Sequence, residues 1–266
     1  MKRSDSHPAA LISLVLALLG VLIGVAFALR WRITRQVRLD QALIAAVKAK
    51  HTEAAVALLQ QGADPNARDD PRPVLPLWRM LIGWLRGQKQ KRSLAPTPLL
   101  IAFMHPPYDP FLIQILLEQG ADPNVPSANG WTPLLLATTQ RDAPAVHLLL
   151  TYGADARKQT ALDPPLVVAA MFFRDNPQVL EDFVDHGADV NQRALGGWTV
   201  LWGSTASGKK AVVKVLLAHH ADTTLQWDHK TPLAKAEQIL ASVDNDYDRD
   251  NFREIVRLLR AAGATE

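Results

Sequence analysis

Five apolar stretches of this chain close on nearly the same phrase: Gly62-Ala63-Asp64, Gly120-Ala121-Asp122, Gly153-Ala154-Asp155, Gly187-Ala188-Asp189 and, with the glycine replaced, His220-Ala221-Asp222. From position 120 onward the phrases recur at intervals of 33, 34 and 33 residues. A fixed period in this range means one supersecondary unit stacked on copies of itself, because a single unit buries too little apolar surface to stand alone. Function in such a stack sits on an extended surface rather than in one deep pocket.

Roughly ten residues after each phrase comes a helix start: Thr97-Pro98-Leu99, Thr132-Pro133-Leu134, Pro164-Pro165-Leu166, Thr199-Val200-Leu201 and Thr231-Pro232-Leu233. Threonine caps the unpaired amides of a first helical turn, and proline suits the first helical position, where it has no hydrogen bond to lose. A second helix follows after a short polar loop. It carries the apolar pairs Leu58-Leu59, Leu116-Leu117, Leu149-Leu150, Phe183-Val184 and Leu216-Leu217 just before the phrase, which gives it a face to bury against the next unit. Glycine at the helix end supplies a left-handed residue, and the aspartate after it can bond back to the turn backbone. Each unit is therefore helix, loop, helix, turn.

These motifs resemble the ankyrin repeat, whose Thr-Pro-Leu-His start, Leu-Leu pair and Gly-Ala-Asp close are met across about residues 38 to 266. The resemblance implies an all-α solenoid of about six helix-turn-helix repeats. Its first unit, about Asp40 to Asn66, lacks the Thr-Pro start and reads as an N-terminal cap; its last, about Lys230 to Glu266, reads as a C-terminal cap with an enlarged loop between its helices. The family's histidine is replaced throughout, by Leu100, Leu135, Val167, Trp202 and Ala234, so its usual hydrogen bond is expected to be missing. His220 in a left-handed turn should cost about 1 kcal/mol, which marks that junction as a candidate weak interface. The resemblance also implies protein recognition through turn tips and inner helices, with no catalysis and no cofactor. Trp131 and Trp198 occupy the same turn position two repeats apart, and Trp227 lies near the equivalent turn of the last unit. With Asn129, Arg193 and Leu195 they are the candidate partner contacts, since aromatic residues are favoured interface anchors. Tryptophans that simply pack neighbouring turns together are the plainer alternative.

The N-terminus has a different character. After a tail of residues 1–8, residues 9–29 are wholly uncharged. As a helix they reach about 31 Å, enough for a bilayer core. Their thirteen Leu, Ile, Val and Phe residues together favour insertion by about 4 to 8 kcal/mol. A cleaved export signal has an apolar region of only about 7 to 15 residues; this one is longer, and Arg30, Arg32, Arg35 and Arg38 follow in a basic segment of residues 30–38. A retained single-pass transmembrane helix is expected. Two basic residues precede it and four follow, which favours a cytoplasmic repeat domain over an exported one that guards a partner. Gly20, Gly24 and Ala28 put small residues at every fourth position, a pattern that lets a homodimer pack closely in the membrane.

Charge is unevenly spread. Residues 1–38 hold six basic and one acidic residue, residues 67–95 hold seven and two, and the remainder has 16 basic and 23 acidic, a net of −7. A repeat domain of that sign repels a phosphate backbone, so nucleic acid is not expected as a partner. Residues 67–95 form an insert on the first turn that is both apolar and basic, with Trp78, Arg79, Trp84 and Arg86 among its members. Tryptophan beside basic residues suits the headgroup layer of a lipid bilayer; a hydrophobic flap folded on the first two repeats is the other possibility.

Two motifs hint at chemistry and fail on context. Gly203 to Lys209 opens like a phosphate-binding loop, yet Lys210 stands where Ser or Thr must hold magnesium, and the segment is expected in a loop between helices. Asp244, Asp246, Asp248 and Asp250 alternate like a calcium loop, but Arg249 and Ile255 occupy its glycine and glutamate places, so a solvated acidic loop is expected. Neither the scattered histidines nor any Ser, His and Asp set has a recognisable site spacing, and no metal or cofactor is expected. The expected molecule is a membrane-anchored, non-enzymatic repeat protein that acts as scaffold, adaptor or tether for another protein; a cryptic nucleotide-binding enzyme is the weaker alternative.

Overall fold

Among the described residues six helix pairs form, because the units repeat the same start and stop chemistry. The computed structural model describes residues 7–70, 94–158, 163–173 and 176–265. Among them are α1 (His7–Lys48), α2 (Thr52–Gln60), α3 (Pro98–Met104), α4 (Pro110–Glu118), α5 (Pro133–Thr139), α6 (Ala143–Thr151), α7 (Pro165–Phe172), α8 (Gln178–Asp185), α9 (Val200–Ala206), α10 (Lys210–Ala218), α11 (Pro232–Ser242) and α12 (Asp246–Ala261). Four first helices open on a buried threonine whose Oγ1 accepts an amide three residues on: Thr97 from Leu100, Thr132 from Leu135, Thr199 from Trp202 and Thr231 from Ala234. At α7 Pro164 stands in that place and gives no side-chain cap.

The second helices stop as expected. Gly62, Gly120, Gly153 and Gly187 have φ between +83° and +92°. In each turn the following alanine N–H reaches back to the carbonyl five residues earlier, as from Ala63 to Leu58 at 3.0 Å. His220 takes the same conformation at φ +60°, and the Ala221 N–H still meets Leu216 O at 2.9 Å. The alanines themselves are buried, as are both members of the Leu116-Leu117 and Leu149-Leu150 pairs.

The pairs stack into two rows. In one, α1, α3, α5, α7, α9 and α11 pack in succession; in the other, α2, α4, α6, α8, α10 and α12 do. The apolar core runs continuously between them, from Leu43 to Leu259.

A ladder of side-chain hydrogen bonds ties the turns together. Asn66 Nδ2 donates to Gly120 O at 2.8 Å and its Oδ1 accepts the Asp122 N–H at 2.7 Å. Asn124 does the same for Gly153 O and the Asp155 N–H, at 2.8 and 2.7 Å, and Asn191 accepts the Asp222 N–H at 2.8 Å. Each asparagine is itself aimed by the aspartate two residues before it, which accepts its N–H. In the third unit Arg157 stands in the asparagine position, and a guanidinium cannot accept. The amide-accepting bond is thus kept across His220, and the asparagine acceptor is lost at Arg157.

The apolar N-terminal stretch and the first repeat helix are a single helix. α1 runs unbroken for 42 residues, about 63 Å. It is long and apolar enough to cross a membrane, and from Leu16 to Leu29 its side chains are exposed among the described residues. Leu43, Ile44 and Val47 at its other end belong to the core. Between the two, Gln36 Nε2 donates to Gly62 O at 2.9 Å and Asp40 Oδ1 accepts the Asp64 N–H at 2.8 Å, the bonds an asparagine makes elsewhere in the ladder.

Three expectations need correcting. The last unit has no enlarged loop between its helices: only residues 243–245 separate α11 and α12, and the extra residues lengthen the helices instead. Asp246, Asp248 and Asp250 therefore lie in the opening of α12, where acids complement the helix dipole, with Asn245 as the cap. Gly203 to Ala206 belong to α9, so the phosphate-loop-like segment is half helix. Lys209 at its end donates from Nζ to Ala170 O and Met171 O, at 3.0 and 3.2 Å, which satisfies carbonyls at the end of α7.

Candidate functional site

Two equivalent turns carry the candidate contact residues. In the first, Ser127 N–H donates to Trp131 O at 2.8 Å and Gly130 N–H returns to Ser127 O at 3.0 Å; in the second, Ala194 N–H donates to Trp198 O and Gly197 N–H to Ala194 O, both at 2.8 Å. Gly130 and Gly197 have φ of +80° and +83°, a conformation that lets the chain reverse just before the tryptophan. The capping threonine follows at once, so each indole is delivered to the start of a first-row helix.

Each indole lines a shallow cleft. Trp131 stands over a space of about 320 Å³ with Leu94, Pro96, Met104 and Leu136. Trp198 stands over one of about 270 Å³ with Met171, Trp202, Gly203 and Trp227. A Cβ on Gly203 would lie 2.4 Å from the Trp198 ring, so only glycine there leaves room for that ring against α9. Trp227 meets Trp202 edge-on, with centroids 4.6 Å apart and an interplanar angle of 68°, and its Nε1 donates to Gly196 O at 2.8 Å. Trp202 occupies a position the family gives to histidine, and its Nε1 donates to Lys230 O at 3.1 Å in the next unit.

The other candidates divide by exposure. Asn129 is exposed at the first turn. Leu195 is 73% exposed at the second, its N–H donated to Asp163 Oδ1 at 2.7 Å. Arg193 is exposed, but its guanidinium donates to Gly197 O at 2.5 Å and so braces the turn. Met104, Met171 and Trp202, which the sequence reading left aside, join the tryptophans in the clefts; applying the repeat period to the methionines would have found them. Trp78, Arg79, Trp84 and Arg86 lie outside the described residues. The ends of that insert are held together, with Asp69 N–H on Pro96 O at 3.1 Å and the Arg68 guanidinium on Ala95 O at 2.9 Å. On α1, Gly20, Gly24 and Ala28 are exposed along one face, and a Cβ on either glycine would meet nothing.

Two ionisable groups are perturbed near the turns and loops. Burial pushes the Tyr108 phenol up, reinforced by its hydrogen bond to the Asp142 carboxylate and the charge there. Hydrogen bonds from the Thr224 hydroxyl and amide hold Asp222 below its usual range. Among the described residues no three His, Cys, Asp or Glu side chains are placed to hold a metal ion.

The comparisons with known proteins fit this geometry. The family described as "Ankyrin repeats (3 copies)" matches residues 79–163, and "Ankyrin repeat" matches residues 40–70. These are ankyrin repeats. The ankyrin repeat protein FPV031 of Fowlpox virus (strain NVSL) is 32% identical over 142 residues, which is 51% of this chain and 41% of that protein. Zygote-specific protein 3 of Chlamydomonas reinhardtii is 28% identical over 53% of this chain and 35% of its own. The matches thus span at most about two fifths of these relatives. An ankyrin repeat domain from Acinetobacter baumannii AYE, solved by crystallography, shares the fold with a TM-score of 0.62 at 23% identity, over 85% of this chain and all of that one. Ankyrin repeats are protein-interaction modules, and that much carries over to this array.

Proposed function

We propose that this chain is a single-pass membrane protein whose ankyrin array, on the cytoplasmic side, binds a partner protein through its turn tips and first-helix row as a scaffold, adaptor or tether. The observation that carries the binding half is where apolar surface stays open. Met104 and Met171 are 48% and 49% exposed and Leu195 73%, all along the line of the two tryptophan turns, while the core between the helix rows is closed. Membrane attachment is supported by the uncharged stretch of α1, whose residues 16–29 are exposed and belong to no part of the described core. Continuity of α1 with the first repeat, together with the Gln36 and Asp40 bonds, gives such an anchor a fixed direction relative to the array. Gly20, Gly24 and Ala28 extend the proposal to close packing of two α1 helices.

A topology reporter fused after Glu266, combined with proximity labelling from the same position, tests the reading. Cytoplasmic reporter activity is expected, with a labelled set that changes when Leu195→Asp and Asn129→Arg are introduced together. Reporter activity on the other side of the membrane, or an unchanged labelled set, refutes the corresponding half. Because the chain has no cysteine, Ala28→Cys gives a clean crosslinking test: a disulfide-linked dimer in membranes is expected, and monomer alone rejects the pairing.

A further inference from the structure

The two clefts are one feature used twice. Met171, Trp198 and Gly203 stand 67 positions after Met104, Trp131 and Leu136, so each cleft is built from the end of one first-row helix, the next tryptophan turn and the same level of the following helix. In the unit between them the tryptophan position is Asp163, whose carboxylate is engaged by the Leu195 N–H, so the aromatic site skips a repeat. Neighbouring helices pack about 10 Å apart, which places the clefts about 20 Å from each other. An extended chain rises about 3.3 Å per residue, so about six residues bridge that span, and an even spacing keeps both anchors on one face of the strand.

Charge distinguishes the second cleft. Among the described residues no acid lines either cleft. Lys235 Nζ lies 5.7 Å from the Trp202 ring centre, and the cationic Arg193 sits on the Trp198 turn. Asp163 is the one acid that the described residues place on that turn, and Arg193, Lys209 and Lys235 outnumber it, so a carboxylate is the complementary group locally although the repeat domain as a whole is acidic.

Resting on the partner-binding reading above, we propose that the array takes an extended acidic segment of its partner protein, with two bulky apolar side chains about six residues apart, one in each cleft, and a carboxylate beside the one at Trp198. The first anchor fills the space between Met104 and Trp131, the second that between Met171 and Trp198. A partner with one anchor, or with two at the wrong spacing, gains only one cleft.

The test uses the full chain in lipid nanodiscs and fluorescein-labelled ten-residue peptides of serine and aspartate. One peptide carries leucine at its second and eighth positions, its isomer at the second and fifth, and binding is read by anisotropy against empty nanodiscs. The wider spacing is expected to bind at least about tenfold tighter, the value of one apolar anchor, and to weaken when the aspartates beside its second leucine become lysine. Met104→Glu or Met171→Glu, both at half-exposed positions, is expected to erase the preference. Equal affinity of the two isomers for the unaltered chain overturns the proposal, as does a preference that survives when Met104→Glu and Met171→Glu are combined. Self-association lost in both variants without any spacing preference also overturns it, since a second copy of this chain would then be the occupant. Spacing-blind binding alongside a labelled set that still responds to the turn-tip changes sinks the two-cleft inference and leaves partner binding standing.

Discussion

Replacing Asn124 by alanine removes both rungs that join the second unit to the third. The lost bonds are 2.8 and 2.7 Å long and go to the Gly153 carbonyl and the Asp155 amide. Each such bond contributes a net of about 0.5–1.5 kcal/mol. Both backbone partners lie at an exposed turn where water can replace the side chain, so the sum should sit near the lower end, about 1–2 kcal/mol. At about 2–4 °C per kcal/mol for a domain of this size, the expected loss is about 2–8 °C in Tm. Arg157→Asn is the reciprocal change. It puts an acceptor and a donor where only a guanidinium now stands, beside Gly187, and should raise Tm by about 2–4 °C for about 1 kcal/mol gained. Circular dichroism at 222 nm of the full chain in detergent, heated with each variant and with both, measures these shifts. A Tm that falls or stays put with Arg157→Asn, or that ignores Asn124→Ala, would show that the turns are held by the core alone.

Three further outcomes are expected. His220→Gly relieves a left-handed non-glycine residue at φ +60° and should stabilise by about 0.5–1 kcal/mol, read as a higher denaturation midpoint with an unchanged slope. Thr205→Val should be neutral or stabilising by up to about 1 kcal/mol, because its fully buried Oγ1 has no partner among the described residues; a loss above that figure in urea unfolding would reveal a bond the geometry does not contain. For Tyr108 the folded pKa is raised, so its contribution to stability is complete below the unfolded value near 10 and drains away as pH climbs above it. Tyr108→Phe should accordingly make stability less sensitive to alkali and remove the latest component from a 295 nm titration; an unchanged titration refutes the environment assigned to that phenol.

Much of the architecture was legible in the chain because its signals are local and repeated. Thr97, Thr132, Thr199 and Thr231 cap first helices, Gly62 through Gly187 end second ones, and the Leu-Leu pairs point to the core, all from interactions spanning five residues or fewer. The asparagine ladder was less visible, since Asn66 and Asn124 act across units and their partners are backbone groups with no sequence signature. The last unit misled for a related reason: an acidic stretch reads equally as loop or as helix opening, and the Asn245 cap decides between them.

Site placement followed the same division. The period in the sequence was enough to put Trp131 and Trp198 at equivalent turns, and residues 9–29 announced an apolar helix by composition alone. That this helix continues into the first repeat, with Gln36 and Asp40 in an asparagine's role, depended on packing against a turn some 24 to 26 residues away. Pairing of Met104 with Trp131 and of Met171 with Trp198 likewise arose only when stacking brought separate units into contact. Short-range hydrogen bonds and apolar periodicity are written along the chain and so determine its elements; the clefts lie between elements, where distance and direction exist only after the stack has formed.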